Sequence, residues 1–282
     1  MDKTLIEEEC NQLFFAEVPD TFTRPDREFW YHYTSFEIFK LILDGKQLKL
    51  NRHKNLIDEQ EIEFGIQILN TLANQYSSSN LPQWLKNVIN CFGVWLNNWC
   101  YYTASGSLSM NSEVLFEKYP GRDKPEYSGI AIGFNINNML KRSQNVVPTI
   151  GKVQYGERAY NDTLNKAFSR YIQLYEKFIY ERRINSYFES LNLCLISCLF
   201  MYLPLIKESK WSIENECRLY LPPSFARRMI TLNEDCIYFP INLQAISQVV
   251  LGPNFRGVDQ LKFLREQHNL SFNIISFKTS MS

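Results

Sequence analysis

The sequence predicts an α+β protein with a mixed, mostly antiparallel sheet and a helical insertion. Three observations carry this. Short β-patterned runs recur along the whole chain: "WYHYT", "KQLKL", "GIAIGF", "KVQY", "CRLYLP", "QVVLGP" and "SFNIISFK". Helical stretches fall between them without the regular strand–helix–strand rhythm of a parallel sheet. One long helical block, 157–206, interrupts the strands as a unit. With 45 % hydrophobic and 15 % aromatic residues, 282 residues can bury a sizeable core rich in Phe and Tyr. We read 1–282 as a single α+β domain, with 1–28 as a peripheral N-terminal segment.

The elements follow in order. Residues 1–28 read as a helix and a loop. Trp30 to Thr34 alternate as a strand. Thr34 with Glu37 three residues on is a capping-box pattern, so a helix begins there and runs to Asp44. Gly45 takes the left-handed position after it. Lys46 to Leu50 alternate polar and apolar, as a half-buried strand does. Ile62, Ile66, Leu69 and Leu72 recur at helical spacing. Leu81 to Ile89 read as a short helix, and "VWLNNWCYYTAS" as an extended stretch. Asn111 or Ser112 caps a helix reaching Tyr119. Gly129 to Phe134 is a buried strand and Lys152 to Tyr155 a further one. Two helices, broken near 182–185, fill the insertion. Strands at "CRLYLP" and "QVVLGP", a helix over 257–269 and a last strand complete the chain.

Lys plus Arg equals Asp plus Glu, 30 against 30, so bulk charge argues for neither nucleic acid nor an acidic partner. Weak self-repulsion leans towards a partner or an oligomer. Seven cysteines occur with no CxxC pair. Structural metal sites need convergent ligands in close pairs, so no metal is expected. Reduced, mostly buried thiols imply a cytoplasmic protein. The acidic N-terminus does not read as a signal peptide. The run Leu191 to Ile206 is shorter than the roughly 20 residues of a membrane helix and reads as a core helix, so no membrane partner is expected.

Three constellations carry candidate chemistry. Alternation puts Trp30, His32 and Thr34 on one strand face and Tyr31 and Tyr33 on the other. His32 lies two residues from a helix N-terminus, whose dipole disfavours imidazolium. A neutral imidazole there suits a ligand hydroxyl or amide; the alternative is a core histidine satisfied by a backbone carbonyl. In "KWSIENECRLYLP", an extended reading puts Glu214, Glu216, Arg218 and Tyr220 on one face. Two carboxylates about 7 Å apart with a guanidinium in line can hold ribose hydroxyls and stabilise a developing cation. The alternative is the solvated face of an edge strand. Thr103, Ser105, Ser107 and Ser109 line either a ligand-contacting turn or an ordinary loop and cap.

The order of "YHYTS", "CYYTASGSLS", "SGIAIGF", "KVQY", "KWSIENECRLYLP" and "QVVLGPN" resembles the bacterial family named domain of unknown function 2971, over roughly residues 29 to 255. Its most specific parts are the His-Tyr-Thr-Ser motif and Trp-x-x-Glu-x-Glu-x-Arg at Trp211 to Arg218. That family in turn resembles the ADP-ribosyltransferases. The resemblance implies an ADP-ribosyltransferase-like sheet and NAD as a substrate. It implies cleavage of the nicotinamide–ribose bond and transfer of ADP-ribose to an unknown acceptor: protein, nucleic acid or water. It places catalysis on Glu216, Glu214 and His32, and NAD contacts on His32, Tyr33, Thr34, Ser107, Ser109 and Arg218. Tyr33, Tyr102 and Tyr119 are candidates to stack on nicotinamide. Where the family shows an Asn-Asp pair ahead of an acidic residue, this chain has "NLIDEQE", Asn55 to Glu61, in which either Asp58 keeps that role or the segment has changed. By analogy such a bacterial enzyme acts as a toxin or in antiviral defence. The second reading is a catalytically inactive binding or sensor module on the same fold.

Overall fold

A computed structural model describes residues 3–16, 28–52, 60–76, 102–119, 128–139, 149–157, 164–221 and 235–277. The chain forms two compact units, one of residues 1–23, 56–100 and 153–210, the other of residues 24–55, 101–152 and 211–282. The expected short helix at Leu81 to Ile89, His53 and Asp58 lie outside the described residues.

The first unit is mainly helical, with α1 (Lys3–Phe15), α3 (Gln60–Gln75), α6 (Asn165–Tyr180) and α7 (Ile184–Tyr202). A two-stranded parallel sheet joins β6 (Gln154–Tyr155) to β7 (Ile206–Lys207). The insertion thus contains the two expected helices, broken at 181–183. The second starts earlier than its most apolar run, so 184–205 is long and apolar enough to cross a membrane by length and composition. Its stripe of Tyr187, Leu191, Cys194, Leu195, Cys198 and Tyr202 is buried. At the head of α7, Arg183 pairs with Glu9 of α1 and lies 4.2 Å over the Tyr187 ring, while the Tyr187 hydroxyl donates to Glu9.

The second unit holds a mixed, mostly antiparallel sheet of nine strands. They are β1 (Phe29–Thr34), β2 (Gln47–Arg52), β3 (Tyr102–Ser107), β4 (Ile130–Asn135), β5 (Thr149–Lys152), β8 (Glu216–Leu221), β9 (Cys236–Pro240), β10 (Ile246–Leu251) and β11 (Asn273–Ser276). The order runs β11-β10-β4-β1-β3-β2-β9, with β8 on β3 and β5 on β8. Within this sheet only the β10–β11 pairing is parallel among the described strands. Helices α2 (Phe36–Gly45), α4 (Glu113–Lys118), α5 (Ile136–Met139) and α8 (Val258–Gln267) belong to this unit.

β3 organises the sheet. β8 covers one edge along its whole length, from Tyr102↔Leu221 to Ser107↔Glu216. The other edge is therefore shared: β2 pairs at Tyr102 and Thr103, and β1 pairs at Ser107. Between them Ser105 faces a notch in the sheet. Trp30 closes over β3 beside this notch, and its indole donates to the Cys217 carbonyl at 2.9 Å.

Two helix ends differ from the sequence expectation by one residue. The N-cap of α2 is Ser35, whose hydroxyl accepts from the Ile38 N–H, because Thr34 is still paired in the sheet with Ile130. Lys46, at φ 51°, takes the left-handed position in place of Gly45. The expected strand Lys152–Tyr155 is split at Val153 between β5 and β6. β9 was not expected; its alternation is short and ends in Pro240, though Ile237 and Phe239 are buried.

A methyl group at Gly106 would lie 2.4 Å from the Trp30 indole and 2.6 Å from the Tyr31 carbonyl. Gly106→Ala is therefore expected to lower the unfolding free energy by about 3 kcal/mol. Gly45→Ala, with nothing within 4 Å of the new methyl, should instead raise it by up to ~1 kcal/mol. Urea denaturation of the two variants against the parent measures both.

Candidate functional site

His32 sits at the notch. Its Nδ1 lies 2.9 Å from the Ser105 carbonyl. A carbonyl only accepts, so the neutral ring carries its proton on Nδ1 and its lone pair on Nε2. Burial holds the imidazole below its ordinary pKa, with the Ser105 carbonyl opposing. Trp30 stacks on the ring with centroids 5.7 Å apart. The ring stays half-buried, and its Nε2 lone pair is of the kind that accepts from a hydroxyl or amide donor. Thr34, buried on the same strand face, follows at the end of β1.

β8 begins at Glu216, two residues later than an extended reading that includes Glu214 requires. Asn215 has φ 43°, a left-handed conformation that Asn adopts more readily than other side-chain-bearing residues. It ends the 3₁₀ turn Ser209–Glu214 and breaks the extended run, so Glu214 is not on the strand. Nor is β8 an edge: it lies between β3 and β5, and Glu216 and Arg218 are buried. Their side chains form a bidentate pair, Arg218 Nε donating to Glu216 Oε1 at 2.7 Å and Nη2 to Oε2 at 3.0 Å. Glu214 is buried as well and accepts from Lys118 Nζ at 2.6 Å.

Directly paired residues in an antiparallel sheet point to the same face. Tyr31, Ser107 and Glu216 form one such row across β1, β3 and β8. Trp30 and His32 belong to the alternate face, with Gly106 and Cys217. The register thus brings Ser107 and Glu216 together and sets His32 on the other face. Burial pushes the Cys217 thiol up to about 12, with the Glu216 charge adding to this, so it is a protonated core residue at neutral pH.

The serine segment is a built turn on the Glu216 face. The Ser107 hydroxyl donates to the Asn215 carbonyl and accepts from the Ser109 N–H. The Tyr33 hydroxyl donates to the Ser109 carbonyl at 2.7 Å and accepts from the Ser112 N–H at 3.0 Å. Ser112 caps α4 through the Leu115 N–H. Tyr33 also packs edge-on against Phe116, 4.9 Å between centroids. Its hydroxyl is thus committed to the turn, and burial pushes its pKa well up. Tyr102 is buried in β3, and Tyr119 follows α4, half-buried.

Beside this turn lies a cleft of about 450 Å³, lined by Ser109, by the segments Asn111 to Val114 and Ile213 to Asn215, and by Phe277. Of the expected site residues it contains Ser109 and Glu214. Lys118, Trp211 and Asn215 also shape this region. Lys118 was legible only as part of the expected helix reaching Tyr119, and Trp211 only as the start of the Trp-x-x-Glu motif. Among the described residues no three His, Cys, Asp or Glu side chains cluster as a metal site.

The fold and site define an α+β protein with a notched sheet and a polar cleft. The model of a family described as protein of unknown function, DUF2971, matches residues 121–219, about a third of the chain. Over that span the chain is similar to the family. The span includes Glu214, Glu216 and Arg218, while the His-Tyr-Thr-Ser strand and the serine turn lie before it. No curated protein and no solved structure matches the chain.

Tyr33→Phe keeps the ring against Phe116 and removes both hydroxyl bonds. It should cost about 2 kcal/mol and speed amide exchange across 109–115, read by hydrogen–deuterium exchange. His32 generates a pH dependence. Its folded pKa is lowered, so below about 6.5 the unfolded chain binds the proton the folded chain refuses. That contribution is present above this pH and is lost as pH falls through it towards the lower folded value. His32→Asn keeps a donor near the Nδ1 position without the titration. Its stability difference from the parent should therefore shrink between pH 7 and pH 5 in denaturant titrations.

Proposed function

We propose that this protein is a binding module on an ADP-ribosyltransferase-like sheet, taking an NAD-type nucleotide without cleaving it. The observation supporting this is the strand register, which sets His32 and Glu216 on opposite faces. A carboxylate that stabilises an oxocarbenium must aim its charge at the reacting carbon. Both oxygens of Glu216 are instead engaged by the Arg218 guanidinium. In this reading His32 Nε2 accepts from a ribose hydroxyl at the notch, with Thr34 beside it. Glu216 and Arg218 hold the sheet, and Tyr33, Ser107 and Ser109 hold the turn.

The second reading is the enzyme: cleavage of the nicotinamide–ribose bond and transfer of ADP-ribose to protein, nucleic acid or water. The adjacency of Ser107 and Glu216 favours it. A role as a toxin or in antiviral defence would belong to that reading.

One experiment separates the two. The protein is titrated with NAD by calorimetry, and free nicotinamide is followed in the same mixtures. We expect saturable binding, weakened roughly tenfold or more by His32→Ala, with no nicotinamide above the blank. Absence of NAD binding would sink the nucleotide reading. Nicotinamide release that disappears in Glu216→Gln would replace the binding module with the enzyme.

A further inference from the structure

The Lys118 ammonium occupies a three-sided site. It bonds to the buried Glu214 carboxylate at 2.6 Å. It lies 5.2 Å from the Trp211 ring centroid and 5.8 Å from that of Tyr119. Two aromatic faces and a desolvated carboxylate are the groups that recognise organic cations. Glu214 also forms part of the wall of the 450 Å³ cleft. The described lining of that cleft carries a second carboxylate, Glu113, and no basic side chain, together with the apolar surfaces of Val114, Ile213 and Phe277.

We propose that Glu214, Trp211 and Tyr119 form a site for an organic cation of the alkylammonium or pyridinium class, with Lys118 as the internal occupant that such a ligand displaces. The exchange is physically reasonable in both directions. A lysine ammonium is compact and strongly hydrated, so it regains much on returning to water. A diffuse organic cation loses less hydration and gains as much from the ring faces. The Lys118 side chain is already 30 % exposed while that of Glu214 is 4 % exposed, so the lysine can leave and the carboxylate cannot. The cleft supplies space for the ligand body, and its charge suits a cation.

This site does not rest on the nucleotide reading, and it is tested with a different ligand. Calorimetric titration with tetramethylammonium chloride, with sodium chloride at matched ionic strength as the blank, should give saturable binding in the wild type. Lys118→Met removes the internal competitor and should tighten binding roughly tenfold. The double variant Lys118→Met/Glu214→Gln, which removes the carboxylate's charge, should lose it. If Lys118→Met does not fold, the wild type and the double variant decide. No saturable heat in the wild type, or equal binding in the double variant, overturns the proposal.

Discussion

β3 has two edges and three neighbours, and much of the second unit follows from that constraint. β8 takes one edge whole, so β1 and β2 must divide the other. Where they part, Ser105 has no strand partner on that side, and a buried carbonyl left unpaired costs about 1–3 kcal/mol. The His32 Nδ1–H meets that need. The same parting lets Trp30 lie over β3, which requires Gly106 beneath it because any Cβ would overlap the indole. A histidine and a tryptophan two residues apart on β1, and a glycine far off on β3, are consequences of one shared edge.

The Glu216–Arg218 pair answers a different problem. Both groups sit on an interior strand where solvent is excluded. Burying two charges is costly, and their attraction compensates only when the geometry is good and the remaining polar atoms are satisfied. The fork from Nε and Nη2 to the two carboxylate oxygens meets the geometric part. Such a pair contributes little net stability against an apolar replacement, yet it tolerates no single deletion. Both members lie on β8, so the pair holds that face of the strand in the interior, while the backbone ladder from Tyr102↔Leu221 to Ser107↔Glu216 sets its register against β3.

The parts of the fold legible in the sequence were those with local causes. The alternation of "WYHYT" placed β1, the apolar run "GIAIGF" placed β4, and Ser112 was one of two expected caps. The site was less legible because its geometry is non-local. An unbroken alternation from Glu214 to Tyr220 put both glutamates on one face; a single positive φ at Asn215, held by the Ser107 hydroxyl, separates them. That bond joins residues 108 positions apart, and no short-range pattern announces it. The faces of β1 were correctly separated by its own period. Which of them faces Glu216 depended on strand register, which the period of one strand does not contain.

The pleat also divides the labour within the His-Tyr-Thr-Ser motif. His32 and Thr34 point to the notch face, while Tyr33 points to the face of the serine turn and closes it with two hydrogen bonds. Ser35 then starts α2. Four consecutive residues thereby tie the notch, the turn and a helix to one strand. Motion of β1 along its axis would break the Ser105 contact on one face and the Ser109 and Ser112 contacts on the other together. The notch contact and the turn contacts are thus anchored on one strand although they lie on opposite faces, which the period of β1 alone provides.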